Sequence, residues 1–425
     1  MNWLTPTIGD VCLPTLQGDP ARTGRKSFRY VDIAGVDRDS KSISKADEVP
    51  SDDAPSRARK MIEASDVLVS TVRPNLNAIA LVPENLDGEV ASTGFAVLRA
   101  NRELLDPKYL FYWAQSTEFV NFLVKNATGA SYPAVTDGVV KRAPIPLPTL
   151  KEQSRIVEVL EEADRLRRLR READAKAARI LPALFLKTFG DPATNPMRWA
   201  QATLGEFGVK ARYGLGQPPK QCTSGLPLLR ATNIDGGRII EKNLIFVEKQ
   251  DVPPGKNAFL SSEEVLVVRS GAYTGDVAQV TDKWAGAVAG YDLVITPAAG
   301  WSGEFIEQFL LTPFVQRTYF ESQKGRAGQP HLNSTQLEAT PAFNPPESLQ
   351  NEFAKQVRAV RSLRDQCIEN AERLEQVFTV LLQHAFAGQL TAKWREGHMQ
   401  ELMAEMAQQA RALNLPVPKE LEVLS

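Results

Sequence analysis

The sequence predicts a mixed α/β fold in which β-rich globular domains alternate with two long helices, all arising from a tandem internal duplication. A proline-containing stretch runs into a long charged segment at residues 146–170, PLPTLKEQSRIVEVLEEADRLRRLR. The same pattern recurs at residues 345–368, PPESLQNEFAKQVRAVRSLRDQCI. Matching residues in the two halves are separated by an almost constant offset of about 197 positions, which indicates an internal repeat.

The repeat extends along the whole of each half. At the constant offset the matching pairs are Pro133 and Pro330, Pro144 and Pro341, Pro148 and Pro345, Gln153 and Gln350, Leu166 and Leu363, Leu184 and Leu381, and Phe189 and Phe386. With one residue of slippage, TIGD at 7–10 matches TLGE at 203–206. The predicted boundaries are a first globular domain at 1–148, a helical spacer at 149–197, a second globular domain at 198–345, a second spacer at 346–393 and a helical tail at 394–425.

Each spacer contains a polar heptad pattern. The first seam is Ile156, Val159, Ala163, Leu166, Arg170, Ala173, Ala177, Ile180 and Leu184, and the second is Phe353, Gln356, Val360, Leu363, Cys367, Asn370, Leu374, Val377 and Leu381. Two such weak seams in one chain can pair as a coiled coil at high effective concentration. Pro182 is expected to kink the first helix, 151–187, or to start its last segment. The arginines between 165 and 171 indicate either a solvated outer face, which we favour, or a positive strip beside a polyanion.

The globular domains contain matching strands and helices. β-Branched runs predict strands at 67–72 and 265–270, followed by a second matched pair at 94–99 and 291–296. Helical apolar spacing occurs at 109–124 and again at 305–320, where Pro313 interrupts it. Glycine-containing turns follow the two helical stretches, NATGASYPAV at 126–135 and KGRAGQPHLN at 324–333.

The composition limits which classes of protein this chain can belong to. A length of 425 residues predicts two or three domains, and 43 % hydrophobic with 24 % charged residues is ordinary for a globular chain. Without a membrane-spanning apolar run or a signal peptide, we expect a cytoplasmic protein with no membrane partner. The three cysteines and three histidines have no metal-ligand spacing, so no metal site is predicted. The net charge of −1 gives no global indication of nucleic acid.

No catalytic residue and no cofactor site is predicted in this chain. The NPPE sequence at Asn344–Glu347 is similar to the loop with which adenine methyltransferases hold the flipped base. Its fourth residue is Glu347, which cannot stack on a base, and the motif matches a plain strand-to-helix junction in the first half. The glycines of GLG at 214–216 precede Gln-Pro-Pro, which cannot open a helix as a dinucleotide-binding loop does.

These features together resemble the specificity subunits of type I restriction-modification systems. The resemblance rests on VLVVRSGAYTG at 265–275, the GASYP and AGQPH loops, IPLPTLKEQSRIVEVL at 145–160, LFLKTFGDPATNP at 184–196 and LLQHAFAGQLTAKWRE at 381–396. The duplicated order of domain and helix covers nearly the whole chain.

The resemblance implies a non-catalytic recognition subunit. Each globular domain would be a target-recognition domain for one half of a bipartite double-stranded DNA target. The two long helices would pack antiparallel, set the gap between the half-sites and dock two methyltransferase subunits, which bind S-adenosylmethionine and methylate adenine. Restriction and translocation subunits could join that complex.

Loop residues are the candidates for DNA contact, because loops on a rigid scaffold usually present the binding groups. The candidates are polar, basic and aromatic side chains in these loops. They are Arg73, Asn75, Ser131 and Tyr132 in the first domain and Lys220, Arg230, Arg269, Tyr273, Lys324, Arg326, Gln329 and His331 in the second. Arginine pairs naturally with guanine and glutamine with adenine, whereas Lys220 and Lys324 suit phosphate. For each residue, the alternative is an exposed side chain without a ligand.

Two other classes of protein remain open. One is a complete enzyme with a fused recognition domain, which the lack of a cofactor motif disfavours and a methylation assay on the isolated chain would decide. The other is a two-helix scaffold whose globular domains bind protein rather than DNA, which the balanced charge permits. A DNA mobility-shift assay with the methyltransferase partner present separates that alternative from a DNA-reading subunit.

Overall fold

The computed structural model describes residues 3–253, 257–321 and 331–416, and the chain divides into two compact units. Unit 1 consists of Met1–Arg171 and Asn370–Ser425, and unit 2 consists of Glu172–Glu369. Each unit therefore contains one globular part together with segments of both helical spacers.

Unit 1 contains two four-stranded sheets and a small hairpin. The first sheet is antiparallel, with the spatial order Cys12–Leu13, Phe95–Ala100, Val67–Ser70 and Ile79–Leu81. The second has the order Asp47–Pro50, Ser27–Val31, Val90–Ser92 and Ala58–Met61, and its two middle strands are parallel. The hairpin pairs Val36–Asp37 with Ser42–Ile43. The strands predicted at 67–72 and 94–99 are thus neighbours at the centre of the first sheet.

Unit 2 repeats this arrangement. Its first sheet is antiparallel, with the order Lys210–Tyr213, Leu293–Thr296, Val265–Val267 and Val277–Gln279. Its second has the order Gln221–Cys222, Ile245–Val247, Leu226–Leu229 and Val288–Ala289, and the last two strands are parallel. The remaining pairs join Ala200–Thr203 to Pro341–Asn344 and Ile234–Asp235 to Arg238–Ile239. The first sheets have the same strand order, and each second sheet contains one parallel pair, which is consistent with the predicted duplication.

The helices also repeat. In unit 1 they are Ile8–Val11, Pro107–Trp113, Thr117–Lys125, Asp137–Lys141, Ala392–Gly397 and Met399–Ala412, and in unit 2 they are Ile180–Phe189, Gly303–Leu310, the π-helical Phe314–Phe320 and Ser334–Glu338. The first long helix is Leu150–Ala177, of 28 residues, and the second long helix is Glu347–Phe386, of 40 residues. Short 3-10 turns are Pro20–Arg22, Ile33–Gly35, Ser51–Asp53, Pro74–Leu76, Glu84–Leu86, Ala231–Asn233, Lys249–Asp251 and Asp282–Trp284. No described helix is long and apolar enough to cross a membrane.

One helical prediction needs correction. The stretch 109–124 is two helices, because Ser116 caps a new one by accepting a hydrogen bond from the Phe119 N–H at 3.2 Å. The division of 151–187 near Pro182 is confirmed, since the first helix ends at Ala177 and the next begins at Ile180. Pro182 lies in the first turn of that helix, where its missing N–H costs nothing. The predicted break at Pro313 is confirmed.

The buried face of the long helices differs from the predicted heptad seam. Ile156 and Leu160 are buried, but the seam residue Leu166 is 43 % exposed and Leu363 is 62 % exposed. The seam residue Phe353 of the second helix is buried among the aromatic side chains of unit 2. The seam was wrong at Leu166 and Leu363 because the helices pack against their globular domains as well as against each other.

Within unit 1 the two long helices run in opposite directions. Arg167 of the first helix contacts Glu375 and the ring of Phe378, with its guanidinium carbon 4.0 Å from the ring centroid. Glu152, near the start of the same helix, accepts hydrogen bonds from Thr391 and Arg395, beyond the end of the second helix. Arg167 is therefore a packed side chain, so the arginine run is not uniformly the solvated face that we favoured.

The core of each unit is completed by a helix end from the opposite half of the sequence. Phe386, at the end of the second long helix, packs edge-on against Tyr109 and Trp113 of unit 1. Phe189 packs in the same way against Phe305 of unit 2, with ring centroids 4.9 Å apart. Because Phe189 and Phe386 are partners in the repeat, the same contact is made twice.

A buried glutamine joins each long helix to its globular domain. Gln153 donates from Nε2 to the Leu104 and Pro148 carbonyls at 2.9 Å, and its Oε1 accepts from the Asp106 N–H at 2.8 Å. Gln350 donates to the Pro345 carbonyl at 3.0 Å and accepts from the Ser302 N–H at 3.2 Å. The repeat therefore preserves individual contacts as well as topology.

Candidate nucleic-acid interface

The same backbone bridge closes one end of the first sheet in each unit. In unit 1 the Val135 N–H donates to the Thr71 carbonyl at 2.9 Å, and Val72 pairs with Ala134. In unit 2 the Leu332 N–H donates to the Arg269 carbonyl at 2.7 Å, and Ser270 pairs with His331. We call these two pairings the loop bridges. They bring the loop after the central strand next to the glycine-containing turn predicted from sequence.

The loop bridge of unit 1 brings two predicted residues together. Arg73 has a left-handed backbone, with φ of 49°, and its guanidinium carbon is 4.6 Å from the centroid of the Tyr132 ring. Tyr132 is 69 % exposed, and Asn75 and Ser131 are also exposed. Gly129 is required nearby, because its φ is 100° and a Cβ there would lie 2.9 Å from the Tyr132 carbonyl oxygen.

The loop bridge of unit 2 brings Arg269 and His331 together with two tyrosines. The Arg269 guanidinium carbon lies 4.1 Å from the Tyr291 ring centroid and 4.8 Å from that of Tyr213. Its Nη2 is 3.2 Å from the Tyr291 hydroxyl and 3.1 Å from His331 Nε2. These contacts hold a cation between aromatic faces, a favourable arrangement that also fixes the direction of the guanidinium.

The charge of Arg269 and the burial of its neighbours determine the protonation states in this cluster. Burial and Arg269 both lower the pKa of His331, so the ring is neutral at pH 7 and Nε2 can accept from the guanidinium. Burial raises the pKa of Asp292 to about 6, while its Oδ1 accepts from the Arg269 N–H at 3.3 Å. Hydrogen bonding to Ser334, through its side chain and its N–H, lowers the pKa of Tyr213.

The other predicted residues are not among the contacts just described, or they lie outside the described residues. Arg230 is half-buried and donates from Nη2 to the Asn243 carbonyl at 2.8 Å. Tyr273 is 53 % exposed on the glycine loop, and Lys220 is exposed. Lys324, Arg326 and Gln329 lie outside the residues that the structure describes.

The sequence analysis missed the two tyrosines that contact Arg269. Tyr291 could have been found from the matched strands, because Val267 pairs with Leu293 and the register places Tyr291 opposite Arg269 two residues further on. Tyr213 ends a short strand, Lys210–Tyr213, that was not predicted.

Within the described residues, the NPPE sequence is part of the fold, and no metal site is found. Asn344 ends a strand and Glu347 begins the second long helix, so NPPE is the strand-to-helix junction that was predicted. Within the described ranges, no group of His, Cys, Asp or Glu side chains is arranged to hold a metal ion.

Comparison with known proteins places these features in one family. The model of the type I restriction modification DNA specificity domain matches residues 58–176. The specificity subunit of the type I restriction enzyme HindI from Haemophilus influenzae is 28 % identical over 142 residues, which are 33 % of this chain and 31 % of that subunit. The EcoKI specificity subunit from Escherichia coli is 20 % identical over 73 % of this chain and 72 % of its own length.

The solved structures extend the similarity over almost the whole chain. A chain from a study of complex assembly and conformational transition of the type I R-M system is 28 % identical, with a TM-score of 0.59, and the match covers 92 % of this chain and 98 % of that chain. The family model, the curated relatives and this solved structure confirm the predicted resemblance to the specificity subunits of type I restriction-modification systems. The family-model match includes the loop bridge of unit 1 and most of the first long helix.

Proposed function

We propose that this specificity subunit reads a bipartite DNA target, one half with the globular domain of each unit. The observation that supports this most directly is the pair of loop bridges. At equivalent ends of two duplicated sheets, each presents an arginine held against an aromatic ring, Arg73 with Tyr132 and Arg269 with Tyr291. Arginine is the side chain that most often recognises guanine in the major groove, and a guanidinium held in place loses less entropy on binding.

Each domain alone presents only a small recognition surface. The two surfaces lie on one chain, so the second binding event is intramolecular and gains from high effective concentration. In this proposal the long helices set the gap between the half-sites, because they join the two domains. The loops themselves determine which bases are read.

We further propose that the long helices dock two methyltransferase subunits, which use S-adenosylmethionine to methylate adenine, and through them the restriction subunits. Exposed large apolar side chains on these helices support a protein-binding role: Leu166, Leu169, Leu363, Val377 and Val380. The chain itself would supply recognition and no catalysis. The methyltransferase would hold the cofactor and the flipped base.

Methylated-adenine sequencing tests this function in cells that contain the chain together with its methyltransferase. Without the chain, the bipartite methylated motif is expected to disappear. Arg269→Ala should relax or abolish one half of the motif, and Arg73→Ala should affect the other, so each variant controls for the other. A loss of about 1–3 kcal/mol of base discrimination is expected for each. Unchanged methylation in both variants would contradict the placement of the DNA contacts, and a motif independent of the chain would contradict the function itself.

A further inference from the structure

The contact between globular domain and long helix occurs at equivalent places in both units, but its charges are reversed. In unit 1 the helix Pro107–Trp113 begins after the capping residue Asp106, and its second residue is Lys108. In unit 2 the helix Gly303–Leu310 begins after the capping residue Ser302, and its second residue is Glu304. Asp106 and Ser302 bind Gln153 and Gln350 in the same way, which establishes that Lys108 and Glu304 are equivalent.

Both residues form an ion pair with the long helix of their own half. Lys108 Nζ is 2.6 Å from Glu161 Oε1, and Arg358 Nη1 is 2.6 Å from Glu304 Oε1. Glu161 and Arg358 are separated by the same offset as Gln153 and Gln350, so they are partners in the repeat. The duplication has thus preserved the position and distance of this pair while its polarity has been exchanged.

The reversal extends beyond the single pair. A cleft of about 470 Å³ lies beside the contact in each unit. In unit 1 the cleft is lined by Glu158 and Glu161 from the helix and by Arg102 and Lys108 from the domain. The helix side of the cleft is therefore acidic, and two cations line it from the domain beside the capping residue Asp106.

In unit 2 the charges beside the ion pair have the opposite signs, although Asp365 and Glu369 of the helix and Asp282 and Lys283 of the domain also line the cleft. Arg358 and Arg361 line the cleft from the helix, and Glu263 and Glu304 line it from the domain. Arg358 Nη1 also lies 3.6 Å from Glu263 Oε1. The residue that matches Glu158 in the repeat is Lys355, so this position is reversed as well.

We propose that the reversed polarity assigns each globular domain to its own long helix and excludes it from the equivalent position on the other. Exchanged docking would bring Lys108 against Arg358, or Glu304 against Glu161, and like charges at ion-pair distance repel. The penalty is greatest for Glu304, whose side chain is 1 % exposed, because a buried carboxylate cannot recover its hydration. Lys108 and Glu304 are thus positioning residues. The inference rests on the proposed function in one respect, since docking would decide which half-site each domain meets.

A charge-reversal cycle in the full chain tests the contact without DNA. The variants are K108E, E161K and K108E/E161K, whose wild-type side chains are 48 % and 43 % exposed and so tolerate substitution. At pH 8 and low salt, each single variant should melt about 2–4 °C below the wild type, as expected for reversing one partner of a surface pair in a unit of this size. The double variant should return to within about 1 °C of the wild type. Additive losses in the double variant would overturn the proposal.

A domain-exchange chain tests the assignment itself. Residues 1–148 are replaced by a second copy of residues 198–345, which places the equivalent of Glu304 opposite Glu161. The matched chain also contains E158K, E161R and D164R, which give these three positions of the first helix the charges of Lys355, Arg358 and Arg361. The matched chain should melt higher than the unmatched one, and only the matched chain should direct methylation of a motif with the second half-site in both positions.

The two readouts separate the possible failures. Equal melting of the two exchange chains would overturn the docking assignment. Higher melting of the matched chain without the expected methylation would retain the assignment and contradict the proposed DNA-reading function. If neither exchange chain folds, the charge-reversal cycle in the natural chain decides the matter.

Discussion

The ion pair between Glu307 and Arg361 makes a direct test of how the second long helix is fixed to unit 2. The Glu307 side chain has no exposed surface, and it accepts hydrogen bonds from the Gln279 N–H at 2.9 Å and from Gln308 Nε2 at 2.8 Å. Burial raises the pKa of Glu307, and Arg361 is the cation that opposes this shift. Arg361 is therefore the main group that allows the carboxylate to stay charged.

Arg361→Met leaves this carboxylate buried without a cation. Breaking a buried ion pair in this way costs about 3–5 kcal/mol. For a unit of about 200 residues, each kcal/mol lowers the melting temperature by about 2–4 °C, so a decrease of about 6–20 °C is expected at pH 8. At pH 5.5 the decrease should be smaller, because the carboxyl group can then take up a proton and no longer requires the cation.

Differential scanning calorimetry at both pH values measures this effect. Lys355→Met is the matched control on the same helix. Lys355 is 72 % exposed, and its ion pair with Glu352 is long, at 4.0 Å, so its loss should cost at most about 1 kcal/mol. Glu307→Gln combined with Arg361→Met should recover most of the lost stability. Equal melting of the Arg361→Met and Lys355→Met variants at pH 8 would refute the view that the buried pair fixes this helix.

Burial, with a further contribution from Glu263, raises the pKa of Glu304 from 4.5 to about 7, and Arg358 opposes this shift only in part. Ionising Glu304 therefore costs more in the folded chain than in the unfolded chain, so the stability of the fold decreases as the pH rises from about 4.5 to about 7. In chemical denaturation across this pH range, the free energy of unfolding of the Glu304→Gln variant should decrease by about 3 kcal/mol less than that of the wild type. Gln153→Leu and Gln350→Leu should each destabilise the chain by about 1–3 kcal/mol in the same assay, because the backbone groups they bind are left buried and unpaired. Replacing residues 1–148 with another recognition domain that has a cation at the position of Lys108 should change one half of the methylated motif only.

Each of these expectations has a contradicting result. A Glu304→Gln variant with the same pH profile as the wild type would show that another group titrates. If Gln153→Leu is as stable as the wild type, the amide contacts contribute no net stability. A domain replacement that alters both halves of the motif would show that the two recognition domains do not act independently.

The elements that sequence analysis located correctly have local causes. The β-branched runs at 67–72 and 265–270 became central strands. The proline-containing stretch of the second half became a strand-to-helix junction, and that of the first half connects isolated bridges at Pro144 and Leu147 to the first long helix. The duplication was visible because equivalent positions, such as Gln153 and Gln350, make the same buried contacts and so have the same side chain. Prolines, caps and β-branched residues act on the backbone within a few positions, so their effects can be inferred without the fold.

The tertiary structure alone decided which groups meet. The buried face of each long helix depends on the domain beside it, so a seam spaced for a coiled coil placed Leu166 and Leu363 inside although both are exposed. The pairing register of three strands places Arg269 beside Tyr213 and Tyr291. The opposite charges of Lys108 and Glu304 can be interpreted as a reversed ion pair only when their partners on the long helices are known. Backbone preferences depend on neighbouring residues and can therefore be inferred from short stretches of sequence. Burial and charge pairing depend on residues that only the folded chain brings within a few ångströms of one another.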